Sequence, residues 1–389
     1  MTGKKRILQV VKTLDGALWA VQQVRELIKL GWEVHIMSPK LEGRYLESWI
    51  NTGAKLHAIP CEFPTKMPWL LPILKERIKT FVSELSPNII HSHFVSTTLM
   101  LRYALKDISI PRIFQVPGPL HLEFSPFGQW ETMWSDSNDY WIASSQYIEK
   151  LYSKRYGIKE KKIFLSYYGT DLPAPNNLQE LDYRKQLGIP NDAIIFGNVS
   201  FIYPPKYYLG QKVGLKGHEI IIDGLSTLMK ENPKLWCVFV GEQWGNSQKY
   251  FNKIKQKAQM ASKHFVFTGY LPQEEILKIW KCFNFAITLP SSENCGGVIE
   301  PMLNAIPTFA SNVGGLPEIV KDQITGYIVS ERTAPSIVSC VNKALQDIPR
   351  SLNIGQAGKI LIEEIFNIER TAKEIDQIYN YILYDNSKK

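Results

Sequence analysis

Between Leu289 and Val320 the chain places two glutamates and two glycine pairs in the order LPSSENCGGVIEPMLNAIPTFASNVGGLPEIV. A short apolar run, Phe283 to Leu289, ends in Pro290-Ser291-Ser292 and predicts a buried strand leaving into a loop. Glu293 and Asn294 lie in that loop, Cys295 follows, and Gly296-Gly297 lets the backbone approach a ligand closely. Val298 to Ala305 predicts a helix with Glu300 in or near its first turn, and Pro307 stops it. Residues 308–311 predict a short strand leading into a second turn, Gly314-Gly315-Leu316, after which Pro317 suits the first position of another helix. Two strand–loop–helix units in succession present two helix N-termini, and such ends attract phosphate. A carboxylate beside phosphate is repelled, so Glu293 and Glu300 are expected to accept hydrogen bonds from sugar hydroxyls. A polyol joined to a diphosphate, that is a nucleotide sugar, fits both halves of the stretch.

These residues need elements to hold them. Arg6 to Val11 predicts a first strand and Lys12 to Gly16 its loop. Ala17, Val21, Val24 and Ile28 then recur at helical spacing until Gly31 ends the helix. Glu33 to Ser38 is the next strand, so the chain opens with a βαβ unit and its sheet should be parallel. Further strands are predicted at 88–91, 111–116, 140–143 and 162–166, before a polar, proline-containing stretch from Leu172 to Asn191 that marks a domain boundary. Ala193 to Val199 starts a second sheet, continued at 235–240 and 265–269. After its first strand runs an unusually long loop, FIYPPKYYLGQKVGLKGHE, carrying Lys206, Lys212 and Lys216. Beyond Val329 the pattern is helical, ending in an amphipathic run from Thr371 to Leu383.

Two stretches of the first half carry bulky apolar residues in polar surroundings. Residues 66–71, KMPWLL, open a helix continuing through Lys75, Arg77 and Lys79. That composition suits a membrane interface, and equally a helix whose Trp69 and Leu70 enter the core. FSPFGQWETMWSD, 124–136, reads as a loop of exposed aromatics, the composition of an acceptor-binding or membrane-touching segment.

At 389 residues the chain exceeds the size at which single cores usually stop growing, so two domains are expected, divided at about residues 171 and 172. Hydrophobic residues at 44% and charged residues at 21% are ordinary globular values and exclude a disordered chain. The five cysteines are scattered and odd in number, which argues against a disulfide framework and a zinc site and fits a reducing cytoplasm. Cys295 reads as a packed side chain, with a nucleophile as the alternative. The basic opening is a first strand and not a signal peptide, and no apolar run approaches a spanning helix. A formal charge of +8 points to acidic partners, either phosphate-bearing substrates or an anionic membrane surface. No nucleic-acid-binding signature appears, so nucleic acid is not expected as a partner.

The stretch from Lys216 to Gly326 resembles the donor-site signature of retaining glycosyltransferases with the two-domain GT-B fold, family four, the glycosyl transferases group 1. The resemblance rests on Lys216-Gly217-His218 before a helix, Glu300 with the following Pro-Met and Ile-Pro, Gly314-Gly315-Leu316-Pro317-Glu318, and Gly326 in ITGYIV. Tyr168-Gly169-Thr170-Asp171 is similar to the family's Asn-Gly-Val-Asp exit from the first domain, and His91-Ser92-His93 to its His-x-His strand end. Three departures matter. Six residues separate Glu293 from Glu300, one fewer than the family carries. Pro117-Gly118 stands where ordinary members have Val-His-Gly, which makes His121 the candidate for their active-site histidine; a loop histidine ordering Glu123 is the alternative. Gly197-Asn198 replaces a Gly-Arg whose arginine meets the diphosphate, so the cation must come from Lys216 and Lys206.

The resemblance implies an α/β chain of two Rossmann-like parallel-sheet domains facing a cleft. Residues 1–171, completed by about 370–389 through a C-terminal helix that crosses back, form the acceptor side, and 172–369 bind the nucleotide sugar. It implies a retaining, hexosyltransferase-type enzyme moving sugar from a UDP- or GDP-linked donor to a hydroxyl of a glycan or lipid-linked acceptor, in cell-surface polysaccharide synthesis. The expected setting is cytoplasmic, peripheral on the membrane. His121, Glu293, Lys206 and Lys216 are the implied catalytic residues. Gly16, Asn198, Asn294, Cys295, Gly296, Gly297, Val298, Glu300 and Gly314 to Leu316 are the remaining donor contacts. Taken alone, the Gly16 loop is also an ordinary βα turn. No Asp-x-Asp occurs, so neither a metal nor a cofactor is expected. The rivals are a non-catalytic nucleotide-sugar-binding subunit of a membrane assembly and a GT-B sugar epimerase.

Overall fold

The computed structural model describes residues 5–172 and 183–386. The chain divides into two compact units, Met1–Leu172 with Ile365–Lys389, and Pro173–Glu364. Half of the polar, proline-containing stretch expected to mark the boundary, residues 173–182, therefore lies outside the described residues.

Each unit is built on one parallel sheet. In the first, β1 (Arg6–Val10), β2 (Glu33–Ser38), β3 (Lys55–Ala58), β4 (Ile89–Ser92), β5 (Arg112–Val116), β6 (Asp139–Ala143) and β7 (Ile163–Leu165) lie in the order β3-β2-β1-β4-β5-β6-β7. In the second, β8 (Ile194–Val199), β9 (Leu235–Val240), β10 (Phe265–Gly269), β11 (Phe285–Thr288), β12 (Thr308–Ser311) and β13 (Tyr327–Val329) lie in the order β10-β9-β8-β11-β12-β13. Strands such as LWCVFV are apolar on both faces because helices cover both faces of a parallel sheet. In the second unit an aromatic ladder crosses the strands: Phe196 stacks on Phe285 at 5.1 Å, and Phe309 on Tyr327 at 4.9 Å. In the first unit the helix Ile368–Asn386 is part of the core, its buried Ile375, Tyr379 and Ile382 packed with Val21, Val24 and Leu27.

Both sheets reverse their direction of growth beside their first strand. In an open α/β sheet the loops leaving the carboxyl ends of the two strands at that point enclose a crevice, and ligands bind there. The switch lies between β1 and β4 in the first unit and between β8 and β11 in the second. The loops that follow β8 and β11 are the lysine-rich loop and the 289–295 loop. Topology alone thus brings together two segments that are far apart in sequence.

Three local expectations change. FSPFGQWETMWSD is a helix, Ser125–Met133, and not a loop. Pro126 occupies its first turn, and Gly128 has no room for a Cβ because the Tyr156 ring lies against it. The helix after Glu293 begins at Gly296 and runs to Leu303, so Glu300 is past the first turn. The helix expected at Pro317 is a single turn, Leu316–Ile319, so of these two the Gly296–Leu303 helix is the one with several aligned peptide dipoles.

Candidate functional site

In the second unit, Lys216 Nζ donates to Glu293 Oε2, and both side chains are less than one-fifth exposed. Lys216 is delivered by Gly217, whose φ of +75° caps the helix His218–Glu231 and whose Cα faces the Leu289 carbonyl too closely for any side chain. Ser291 N donates to Leu215 O at 2.8 Å, so the two switch-point loops are stitched together directly before Lys216 and Glu293. Arg332 completes the seam by donating from Nε to Leu289 O at 2.9 Å. Burial pushes its pKa down, while Glu219 pulls it up.

Glu293 is held by its backbone as well as its charge. Gly314, at φ +57°, lies so close that a Cβ there would overlap the Glu293 carbonyl, and Gly315 N donates to that same oxygen at 3.3 Å. Glu293 Oε1 accepts from Asn294 N at 3.2 Å, and the carboxylate stands about as far as van der Waals contact from where side chains at Gly296 and Gly297 would begin. The pair therefore sits at the mouth of the Gly296–Leu303 helix. Both glycine pairs are needed there, one to bring the turn against Glu293 and one to leave space above the helix start. Val298 and Leu316 are buried behind these turns as packing.

Glu300 is elsewhere on the same helix and keeps separate company. Its Oε1 accepts from Gln273 Nε2 at 3.0 Å and its Oε2 from Trp280 Nε1 at 3.2 Å. The shortened spacing between the acids has not merged their roles. One carboxylate answers an ammonium, and the other is oriented by two neutral donors with lone pairs to spare.

Several expected donor contacts are turned inward. Asn198 is 2% exposed, donates to Ile287 O at 2.7 Å and accepts from Ser200 Oγ at 3.0 Å, so its amide joins β8 to β11 across the switch point. Cys295 is buried, its thiol lies 3.5 Å from Gly315 O, and burial pushes its pKa well up. A neutral buried thiol is a poor nucleophile, and packing is its role here. Lys206 is half-buried, makes no ion pair among the described residues, and has its pKa lowered by desolvation. Lys212 is exposed.

His121 and Gly16 belong to the first unit. His121 lies on a short helix, Leu120–Glu123, with its ring 5.9 Å from Phe114 and Nε2 4.0 Å from Glu131 Oε2. Burial pushes its pKa down to about 4, against the pull of Glu131, so the ring is neutral near pH 7. Gly16 has nothing within 4 Å of a built Cβ; the left-handed residue of this turn is Ala17, at φ +63°. Deeper in the same sheet, His93 Nε2 meets Gln9 Oε1 at 2.7 Å and Nδ1 meets Tyr168 at 3.2 Å.

Gln273, Trp280 and Arg332 were not anticipated. They reach the site from other elements, and no local spacing marks them.

Two family descriptions match this chain: "Glycosyl transferases group 1" over residues 179–360 and "Glycosyltransferase Family 4" over residues 17–173. The chain belongs to the group 1 glycosyltransferases. Among curated relatives, this group 1 chain is 23% identical to spore coat protein SA of Bacillus subtilis, covering 61% of itself and 64% of that protein. It is also 23% identical to the lipopolysaccharide 1,2-N-acetylglucosaminetransferase of Salmonella typhimurium, covering 61% and 60%. It thus spans less than two thirds of these relatives' own length. In fold it is similar to Anabaena HepE, solved in complex with UDP and glucose, with a TM-score of 0.79, 16% identity, and coverage of 96% of this chain and 99% of that one.

Proposed function

We propose that this protein transfers a sugar, with retention of anomeric configuration, from a nucleoside-diphosphate donor to a hydroxyl of a glycan or lipid-linked acceptor, in the synthesis of a cell-surface polysaccharide. The observation that carries the reading is the Lys216–Glu293 pair at the mouth of the Gly296–Leu303 helix. A nucleotide sugar has one group for each member: its phosphate takes over the ammonium, and a sugar hydroxyl donates to the freed carboxylate. The helix mouth adds N–H groups for the phosphate oxygens, while the Gly314–Leu316 turn, whose Gly315 N donates to Glu293 O, holds the carboxylate in place. Glu300, with its lone pairs aimed by Gln273 and Trp280, is assigned to the ribose hydroxyls.

Transfer builds negative charge on the departing diphosphate. Lys216, Lys206 and the helix mouth stabilise it from fixed positions, which is what lowers the barrier. Because no Asp-x-Asp offers a paired carboxylate for a divalent ion, the reaction is assigned to these cations without metal. His121, neutral near pH 7, is assigned a hydrogen-bonding role rather than a charged one. A non-catalytic binding subunit remains the second reading, favoured by Pro117 and Asn198 in place of the family's histidine and arginine.

The test is a thermal-shift screen of the purified chain against UDP- and GDP-linked sugars, followed by product analysis with chelator present. One donor should raise Tm by mass action and be turned over slowly by water or acceptor. Binding without any turnover would support the binding subunit, and no response to any nucleotide sugar would end the proposal.

A further inference from the structure

The first unit exposes a set of large apolar side chains that its own packing does not use. Trp69 is 68% exposed and Ile73 65%, on the segment leading into and along the helix Leu71–Leu85. Trp130 is 54% and Met133 76% exposed on the helix Ser125–Met133. The two groups are connected: Trp134 meets Phe63 edge-on at 5.4 Å and Tyr103 at 6.1 Å, and Lys75 stands over the Tyr103 ring at 5.6 Å. Residues 66–79 carry Lys66, Lys75, Arg77 and Lys79 against a single acid, Glu76. The one acid of the Ser125–Met133 helix, Glu131, is fully buried against Arg102 and adds no charge to the surface.

We propose that this face docks on an anionic membrane surface, with the tryptophans at headgroup depth and the cations among the lipid phosphates. Tryptophan and methionine beside lysine and arginine, with no surface acid on the second helix, is the chemistry of that interface. A second copy of the chain fits it poorly, since a two-fold contact would set one cation cluster against the other. The proposal is independent of the donor site, and it requires two segments to act together.

Purified full-length protein, with no sugar donor added, is sedimented with vesicles of phosphatidylglycerol and phosphatidylcholine and with phosphatidylcholine alone, at low and raised salt. Binding is expected to the anionic vesicles and to weaken with salt. Trp69→Ser with Ile73→Ser, and separately Trp130→Ser with Met133→Ser, should each weaken it by about tenfold or more. Lys66→Glu with Arg77→Glu should remove the preference for anionic lipid. All six positions are exposed, so Tm should not move, and a Tm match to wild type is required before a variant is compared. Wild type that ignores anionic vesicles at low salt overturns the proposal. So does equal binding by the apolar variants, or a concentration-dependent dimer that those variants abolish, which would give the face to a second copy.

Discussion

Lys216 and Glu293 compensate each other's charge, so removing either changes what remains as well as what is lost. Lys216→Ala should lower kcat/KM by about two orders of magnitude or more, the scale of one lost transition-state donor. Lys206→Ala should cost a similar amount, because a half-buried lysine with no ion pair among the described residues is held where an anion would repay its desolvation. Lys212→Ala, at an exposed position, should cost far less. Steady-state rates of the three variants with one donor, after matched melting curves, check the order; a silent Lys206→Ala with a crippling Lys212→Ala would reverse the reading of the loop. Glu300→Gln should weaken a bare nucleoside diphosphate by roughly 1.5–3 kcal/mol, the worth of a hydrogen bond to a charged acceptor. Unchanged affinity in a calorimetric titration would give the ribose to another residue.

At the scale of elements, the Gly314-Gly315 turn is what aims Glu293. A side chain at Gly314 meets a left-handed backbone and the Glu293 carbonyl together. Gly314→Ala should therefore keep the far-UV spectrum and lose the donor-dependent rise in Tm, whereas Gly16→Ala, with open space around its Cβ, should move stability by no more than about 0.5 kcal/mol. A Gly314→Ala protein with a normal donor response would show that the turn does not position Glu293. These turns were legible in the sequence because glycine pairs between short apolar runs have few other uses. Most of the parallel strands were legible for a similar reason, as brief apolar runs closed by turn residues, but β3, whose KLHA carries no such run, and the three-residue β13 were not. What was not legible came from remote contacts. Trp280 lies 20 residues before Glu300 and Arg332 lies 43 after Leu289, and only the folded sheet sets them face to face. The Ser125–Met133 helix was read as a loop because its aromatics face outward, leaving no buried stripe to reveal the helical period.

Across the whole molecule, burial holds several histidines neutral. The pKa of His121 is pushed down to about 4 and those of His93 and His218 to about 3, and that of His91 is also well below the ordinary value, with burial the main cause each time. In the unfolded chain these rings take up protons near pH 6.5, before the folded chain does. Stability from this source is therefore complete above about pH 6.5 and is lost as pH falls toward 4, by about 1.4 kcal/mol per pH unit for each ring. Tm measured from pH 7.5 to 5 should fall progressively, and less steeply in His218→Gln. A flat profile through that window would mean that the rings are solvated and titrate normally. The rate should show no step near pH 6.5 from His121, since that ring is already neutral.

The central claim is that one donor splits the Lys216–Glu293 pair, phosphate to the lysine and sugar to the carboxylate. Titrating Glu293→Gln with the bare nucleoside diphosphate and with the full nucleotide sugar tests it most directly. Freed from its carboxylate, Lys216 should bind the bare diphosphate as well as wild type or better, while the extra affinity contributed by the sugar should disappear. Equal weakening of both ligands, or of neither, would contradict the account.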